Sequence, residues 1–369
     1  MTLYWIFLVI GLVLIVWSEN SYRRVYCANH WEMRGTYLQG LVLFVPLIFF
    51  CGLRSGIADT GTYITEFEAY PSNFSDVVFE ELGKGKLFGL FGVFYKHFIS
   101  EDFHGWLFII AMISATFVLI GIKRYSAFFG MSLFLFIAST EFVYLINGMR
   151  QFIAISVIFA FSNLIVEKKL FKFLILIGIL AFIHSSVLIM IPVYFIIQSK
   201  PFGTVMKITV ILSMIAGVMF DFLWSHFGSV LEGTEYEGYI DYMANGTGVN
   251  VIRVFVAAVP LIIALWGRRA LEEQEYPLVR VCINMTTITF CLYLVALFSS
   301  GMAVGRALAY FEIYNIITLP WLIKQVFEKN SSRFVAIVCI IAYIIFFYFQ
   351  MVVAWSSLGY ESDILNLYL

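Results

Sequence analysis

Three arginines, Arg54, Arg150 and Arg306, each flank an apolar run in a chain where charge is scarce. A guanidinium is a planar fork that matches phosphate oxygens two at a time. Arg150 and Arg306 are read as opening helices that run inward from one face of a membrane. There, unpaired N–H groups and the helix dipole already favour an anion. Arg54 is read as following the end of another helix on the same face. Arginines near span ends also snorkel or pair with acids, and Asp59, Glu141 and Glu312 are at hand for that role. Three on one face favour a phosphate or pyrophosphate site.

Two further residues have the chemistry of a base. His184 stands at a junction between two apolar runs, in His184-Ser185-Ser186, and a neutral imidazole there can accept a proton from a sugar hydroxyl. The alternative is a packed histidine bonded to Ser185 or a backbone carbonyl. Asp59 lies five residues after Arg54, where its carboxylate either orients a hydroxyl, acts as base, or holds Arg54 in place. Tyr63 and its aromatic neighbours suit stacking on sugar faces, or an ordinary interfacial aromatic belt. The histidines and cysteines show no metal-ligand spacing, and HExxH, P-loop and GxSxG patterns are missing from the sequence. The expectation is therefore a metal-independent reaction with no cofactor.

The elements that must position these residues follow from composition. Of 369 residues, 62% are hydrophobic and 13% charged, against about 25% charged in soluble domains. Twelve spans of about 20 residues would use almost all the apolar material. The reading is all-α: one polytopic transmembrane domain over residues 1–369. Its spans are near 2–17, 36–52, 106–122, 127–145, 150–166, 171–183, 186–198, 205–221, 251–266, 281–298, 307–323 and 334–355. The first lacks a basic leader and a cleavage site and reads as an anchor. The net charge of −1 excludes a basic nucleic-acid surface.

Sixteen of the 23 lysines and arginines fall on odd-numbered connections, which places those connections in the cytoplasm and both termini outside. Long outside segments are expected at 53–105 and 222–250. The first is read as turn-rich from Arg54 to Ser75, then apolar from Leu87 to Ile99, too short to span and suited to an amphipathic interfacial helix.

These residues together resemble the EpsG-like branch of the Wzy-type polysaccharide polymerases. The resemblance rests on Leu53-Arg54 with Asp59 and Tyr63, and on Asn147-Gly-Met-Arg150-Gln151-Phe-Ile-Ala154. It rests also on Phe182-Ile-His184-Ser185-Ser186 and on Gly305-Arg306 with Tyr310. The segment 76–104 is harder to match. The resemblance implies a bacterial inner-membrane glycosyltransferase with a GT-C-like helical fold and a site facing outside. Such enzymes move a growing glycan from undecaprenyl pyrophosphate onto a hydroxyl of the next lipid-linked repeat unit, making capsule, exopolysaccharide or O-antigen. Donor and acceptor lipids are then the partners, with membrane lipid around them and a chain-length regulator as a further candidate. On this reading Arg54, Arg150 and Arg306 hold pyrophosphate, with Tyr63, Gln151 and Tyr310 beside them, and His184 or Asp59 is the base.

Two rival classes use the same features. A lipid-linked oligosaccharide flippase would suit the helices and the arginines, but the sequence lacks the internal repeat common in transporters. A membrane acyltransferase would use His184 as base with its donor site on the cytoplasmic side.

Overall fold

The computed structural model describes the chain except for residues 1, 21–22, 28–29, 84, 221, 223–225, 227–247, 273–275, 300, 356–357 and 369. Most of the expected outside segment 222–250 lies outside the described residues. The chain is overwhelmingly helical and gathers into two compact units. Unit 1 holds residues 1–162, 178–187 and 334–369, and unit 2 holds 163–177 and 188–333.

In unit 1, α1 (Thr2–Asn20) leads to a hairpin of β1 (Arg23–Cys27) and β2 (His30–Arg34), then α2 (Tyr37–Gly52). Thr36 starts α2 with a capping box: its hydroxyl accepts from Gln39 N–H while the Gln39 side chain accepts from Thr36 N–H. After α3 (Thr60–Ala69) and α4 (Lys86–Phe98) come α5 (Phe103–Tyr125), α6 (Phe129–Ala138) and α7 (Met149–Ala160). Helix α1 packs on α6, and α5 packs on both α2 and α7. Small residues permit these approaches: a Cβ at Gly121 of α5 would lie 2.3 Å from the Phe159 ring of α7.

The turn-rich reading of Arg54 to Ser75 is corrected by α3, whose buried residues Thr60, Tyr63 and Phe67 recur at helical spacing. Phe67 stacks on Trp106 of α5 at 4.8 Å. Lys96 of α4 donates to the carbonyls of Phe67, Glu68 and Tyr70, placing a cation on the C-terminus of α3. The expected amphipathic helix is present as α4. It buries Phe88, Gly92 and Tyr95 and exposes Leu87, Phe94 and Phe98.

Unit 2 begins with α8 (Asn163–Val166). Next, α9 (Leu170–Ala181) passes from unit 2 into unit 1, and α10 (Met190–Ile197) returns to unit 2. The expected short hairpin is thus present, with His184 N–H bonded to the Leu180 carbonyl and a 3₁₀ turn over Ser185–Ile189. After α11 (Thr204–Val218) and α12 (Val251–Trp266), a short α13 (Arg268–Glu272) precedes α14 (Pro277–Ala296), against which α11 and α12 pack. Polar side chains tie α14 in place: Asn284 donates to the carbonyls of Ile197 and Ser199, and Thr286 donates to Asn315 at 2.6 Å.

The expected span 307–323 is two helices, α15 (Gly301–Glu312) and α16 (Asn315–Val326). Bonds tighten to three-residue spacing at the joint, as from Tyr314 N–H to the Phe311 carbonyl. Finally α17 (Lys329–Tyr348) carries the chain back into unit 1 and ends in a π-helical turn, Phe349–Ala354. Among the described residues three helices are long and apolar enough to cross a membrane: Phe103–Tyr125, Pro277–Ala296 and Lys329–Ala354. The others that correspond to expected spans are shorter apolar helices.

Candidate functional site

Three of the expected segments meet in unit 1: Arg54 to Tyr63, which forms the loop after α2 and the start of α3; the start of α7; and the hairpin at His184. Arg54 is the deepest. It is 0% exposed, with Nε donating to Thr60 Oγ1 at 2.8 Å, Nη2 to Met149 Sδ, and Nη1 to the Cys51 carbonyl. Burial pushes this guanidinium down from its ordinary value, against the fields of Cys51, Tyr360 and Tyr63. Its donors are turned into the protein, so Arg54 fastens the α2–α3 loop to the first residue of α7.

The C-terminal tail fastens the same loop from the other side. Ser55 N–H donates to the Glu361 carbonyl at 2.8 Å, and Glu361 N–H returns a bond to the Gly56 carbonyl at 3.0 Å. Tyr360 stacks on Phe50 at 4.3 Å and donates to the Phe50 carbonyl. These backbone pairings carry no side-chain pattern, and sequence reasoning missed them.

Asp59 caps α7 across a long sequence separation. Gly148 stands at the N-cap with φ +70°, a left-handed conformation that suits glycine. Its N–H donates to Asp59 Oδ2 at 3.1 Å. A carboxylate of the chain itself therefore occupies the anion-favouring end of α7. Ala58 just before it is also left-handed, at φ +47°, a strained loop conformation for a residue with a Cβ.

Arg150 leaves that helix end through its side chain. Its guanidinium carbon lies 5.5 Å from the Tyr63 ring centre and 5.7 Å from that of Phe88, a cation held against two aromatic faces. Nη1 donates to Glu66 Oε1 at 3.1 Å, the two side chains being 25% and 21% exposed. Tyr63 is 5% exposed and accepts weakly from Arg150 N–H at 3.4 Å. Burial pushes its phenol up, with Arg150 opposing. Tyr63 is thus a seat for Arg150.

An open cleft of about 670 Å³ adjoins this pair, lined by Gly61, Thr62, Thr65, Glu66, Gly83 and Arg150 among others. Glu66 was not singled out from sequence. The available signal was the helical spacing of Thr60, Tyr63 and Phe67, which places Glu66 one turn beyond Tyr63.

The hairpin reaches the same place through Gly85. A Cβ there would lie 2.5 Å from the Ile183 carbonyl oxygen and 3.4 Å from Arg150 Cδ. Leu87 N–H donates to the Phe182 carbonyl at 2.9 Å. His184 is half-buried, its Nδ1 2.6 Å from Ser186 Oγ. Ser186 thus supplies a hydroxyl that holds the ring. Gln151 is buried in the first turn of α7.

Arg306 and Tyr310 belong to unit 2. Because α15 begins at Gly301, Arg306 lies beyond its first turn, where the dipole effect has faded. Arg150 thus lies in the first turn of a helix whose end Asp59 caps, and Arg306 lies beyond the first turn of its own. The apolar Met302-Ala303-Val304 extends the helix upstream of the run from which the boundary was read. Tyr310 is buried. Near it in sequence, Glu312 accepts from the Tyr293 hydroxyl with both oxygens, at 2.9 and 3.1 Å, and feels the charge of Arg253.

Neither a curated protein nor a solved structure matches the chain. A family model, that of the EpsG family, matches residues 37–362, a stretch that contains the Arg54 loop, α3, Arg150, the His184 hairpin, Arg306 and the tail strand at Glu361. With most of its length matched, the chain belongs to the EpsG family, a family of Wzy-like polysaccharide polymerase-type proteins.

Proposed function

We propose that this protein polymerises lipid-linked glycan repeat units on the outer face of a bacterial cytoplasmic membrane. Undecaprenyl pyrophosphate is the proposed carrier, and twelve spans in a GT-C-like single domain the proposed frame. The observation that carries the reading is Arg150: a partly exposed guanidinium, braced by Tyr63 and Phe88, facing an open cleft in a member of a polymerase family.

The chemistry follows from that placement. The acceptor hydroxyl oxygen forms a new bond to the anomeric carbon of the donor glycan. The bond from that carbon to the carrier phosphate breaks, and its electron pair leaves with the pyrophosphate. Arg150 neutralises the charge that gathers there, a role a preorganised guanidinium fills without a metal. The acceptor proton goes to His184, whose ring is held through Nδ1 by Ser186. Direct displacement of this kind inverts the anomeric centre. Arg54, Asp59 and Tyr63 act by positioning, since each is bonded into the frame around α7. Gln151 shares that frame. For Arg306 and Tyr310 in unit 2 the proposal is separate: a contact for lipid phosphate, tested by its own substitution.

The orientation has support within unit 1. The Tyr4 hydroxyl donates to the Leu358 carbonyl, and the tail pairs with the loop at Ser55–Gly56. The start of α1, the end of α2 and the tail therefore share one end, as the charge asymmetry requires of outside segments. At the far ends of α5 and α7, Arg124 and Tyr125 both donate to the Ala160 carbonyl, where cytoplasmic basic residues are expected.

The test is chain growth from purified lipid-linked repeat units. Wild-type protein should convert single repeats into a ladder of longer lipid-linked chains. Transport of intact single repeats across a vesicle membrane, with no ladder, would make it a flippase.

A further inference from the structure

From the geometry of the cleft we infer that Glu66 is an internal competitor of the pyrophosphate for Arg150, displaced when donor binds and returned when the spent carrier leaves. This rests on the reading of Arg150 as the pyrophosphate contact. Three observations carry it. Glu66 Oε1 already sits where a phosphate oxygen would, 3.1 Å from Arg150 Nη1. Both side chains stay about one fifth to one quarter exposed and line the cleft, so a ligand in the cleft reaches the pair. The guanidinium rests against the paired Tyr63 and Phe88 rings, so carboxylate and phosphate meet the same fork in the same place.

The reaction gives such a competitor something to do. When the anomeric C–O bond breaks, the phosphate that carried the sugar keeps the electron pair and gains an ionisable oxygen, whose proton has a pKa near 6. The product therefore carries more negative charge than the donor and holds Arg150 more tightly. Without a counter-charge, the enzyme would end each cycle in its most stable complex. A carboxylate tethered on α3 offsets this: it neutralises Arg150 in the empty cleft, where a lone half-desolvated cation is costly, and it speeds departure of the product. Glu66 is a positioning residue in this scheme, acting on substrate through Arg150.

The discriminating experiment measures binding of inorganic pyrophosphate to the full-length protein in lipid nanodiscs, alongside steady-state polymerisation. Glu66→Gln should tighten pyrophosphate binding about five- to tenfold, the loss of one partly exposed ion pair. Its kcat should fall as product release slows, and its KM for donor should fall by more, so that kcat/KM rises. Glu66→Asp keeps the charge on a shorter arm, so it should bind about twofold tighter than wild type and recover most of the turnover. Unchanged or weaker binding in folded Glu66→Gln would overturn the proposal. So would a loss of kcat at constant KM, which would mark the carboxylate as a base. Should Glu66→Gln fail to fold, Glu66→Asp decides alone, and binding no tighter than wild type refutes the idea. Arg150→Ala is the separate control: wild-type pyrophosphate affinity in that variant would remove Arg150 as the phosphate contact, whatever Glu66 does.

Discussion

Arg54 and Arg150 read alike in the sequence, each an arginine beside an apolar run on the face where cations are few. The fold gives them opposite environments. Arg54 is sealed, with all its nitrogens bonded to Thr60, Cys51 and Met149. Arg150, one residue beyond Met149, lies against two aromatic rings beside a cleft and holds a partly exposed carboxylate. The first guanidinium builds the platform from which the second is presented. Residue type and flank therefore do not decide which arginine can touch a ligand; the burial of the donors does.

The largest effect that would test this contrast is on Arg150. Arg150→Ala should abolish polymer while folded protein stays near the wild-type level, and Arg150→Lys should restore little, because a point charge replaces neither the fork nor its aromatic seat. Equal activity for lysine and arginine would reduce Arg150 to a general electrostatic role. Loss of folded protein in both variants would erase the distinction from Arg54.

Next in size is His184. His184→Gln should keep folded protein and pyrophosphate binding but cut turnover on the order of 10²–10⁴-fold, the usual scale of general-base catalysis. Assays from pH 5 to 9 should also show the acid limb of the rate profile flattened. Near-normal turnover would confine the chemistry to the cleft and leave the hairpin as scaffold.

Arg54→Ala should behave as a folding lesion. It removes the side-chain partner of the buried Cys51 carbonyl and one of two bonds at the Thr60 hydroxyl, and it opens a void beside Met149, a loss of about 3 kcal/mol. Thermal unfolding in detergent should show a drop in Tm of several degrees, and whatever protein survives should bind pyrophosphate normally. A stable Arg54→Ala with weakened pyrophosphate binding would return Arg54 to the binding site.

What the sequence could disclose follows the same division. Composition reaches the helical, apolar character because it sums over many residues. Arg150 and the hairpin at His184 were visible because each marks the edge of a long apolar run. Glu66 was hidden because its helix is short, amphipathic and rich in Thr and Gly, so that turn signals outweighed the Thr60, Tyr63 and Phe67 spacing. Its partner is also 84 residues away. The expected run began at 307, whereas α15 starts at Gly301 and continues through Gly305, since a glycine inside a helix is tolerated at modest cost. The tail strand was invisible in principle, since Glu361 pairs with Gly56 through backbone atoms alone.

The smallest predicted effect separates cap from catalyst at Asp59. Its Oδ2 accepts from Gly148 N–H at the start of α7, and an asparagine oxygen can accept that same bond. Asp59→Asn therefore removes only the charge at the helix end, about 0.3–1 kcal/mol for a surface helix. Turnover should stay within a few-fold of wild type and Tm should fall by a few degrees at most. Asp59→Ala also removes the acceptor, leaving the Gly148 N–H unpaired beside a left-handed backbone, and should cost about 1 kcal/mol more. The order Ala below Asn below Asp in Tm, with turnover following folded protein, marks a cap that sets the register of Arg150. If Asp59→Asn instead lost turnover a hundredfold at unchanged Tm, the carboxylate would be taking the acceptor proton. The boundary between platform and reactive cleft would then move from Arg150 back to the loop that Arg54 holds.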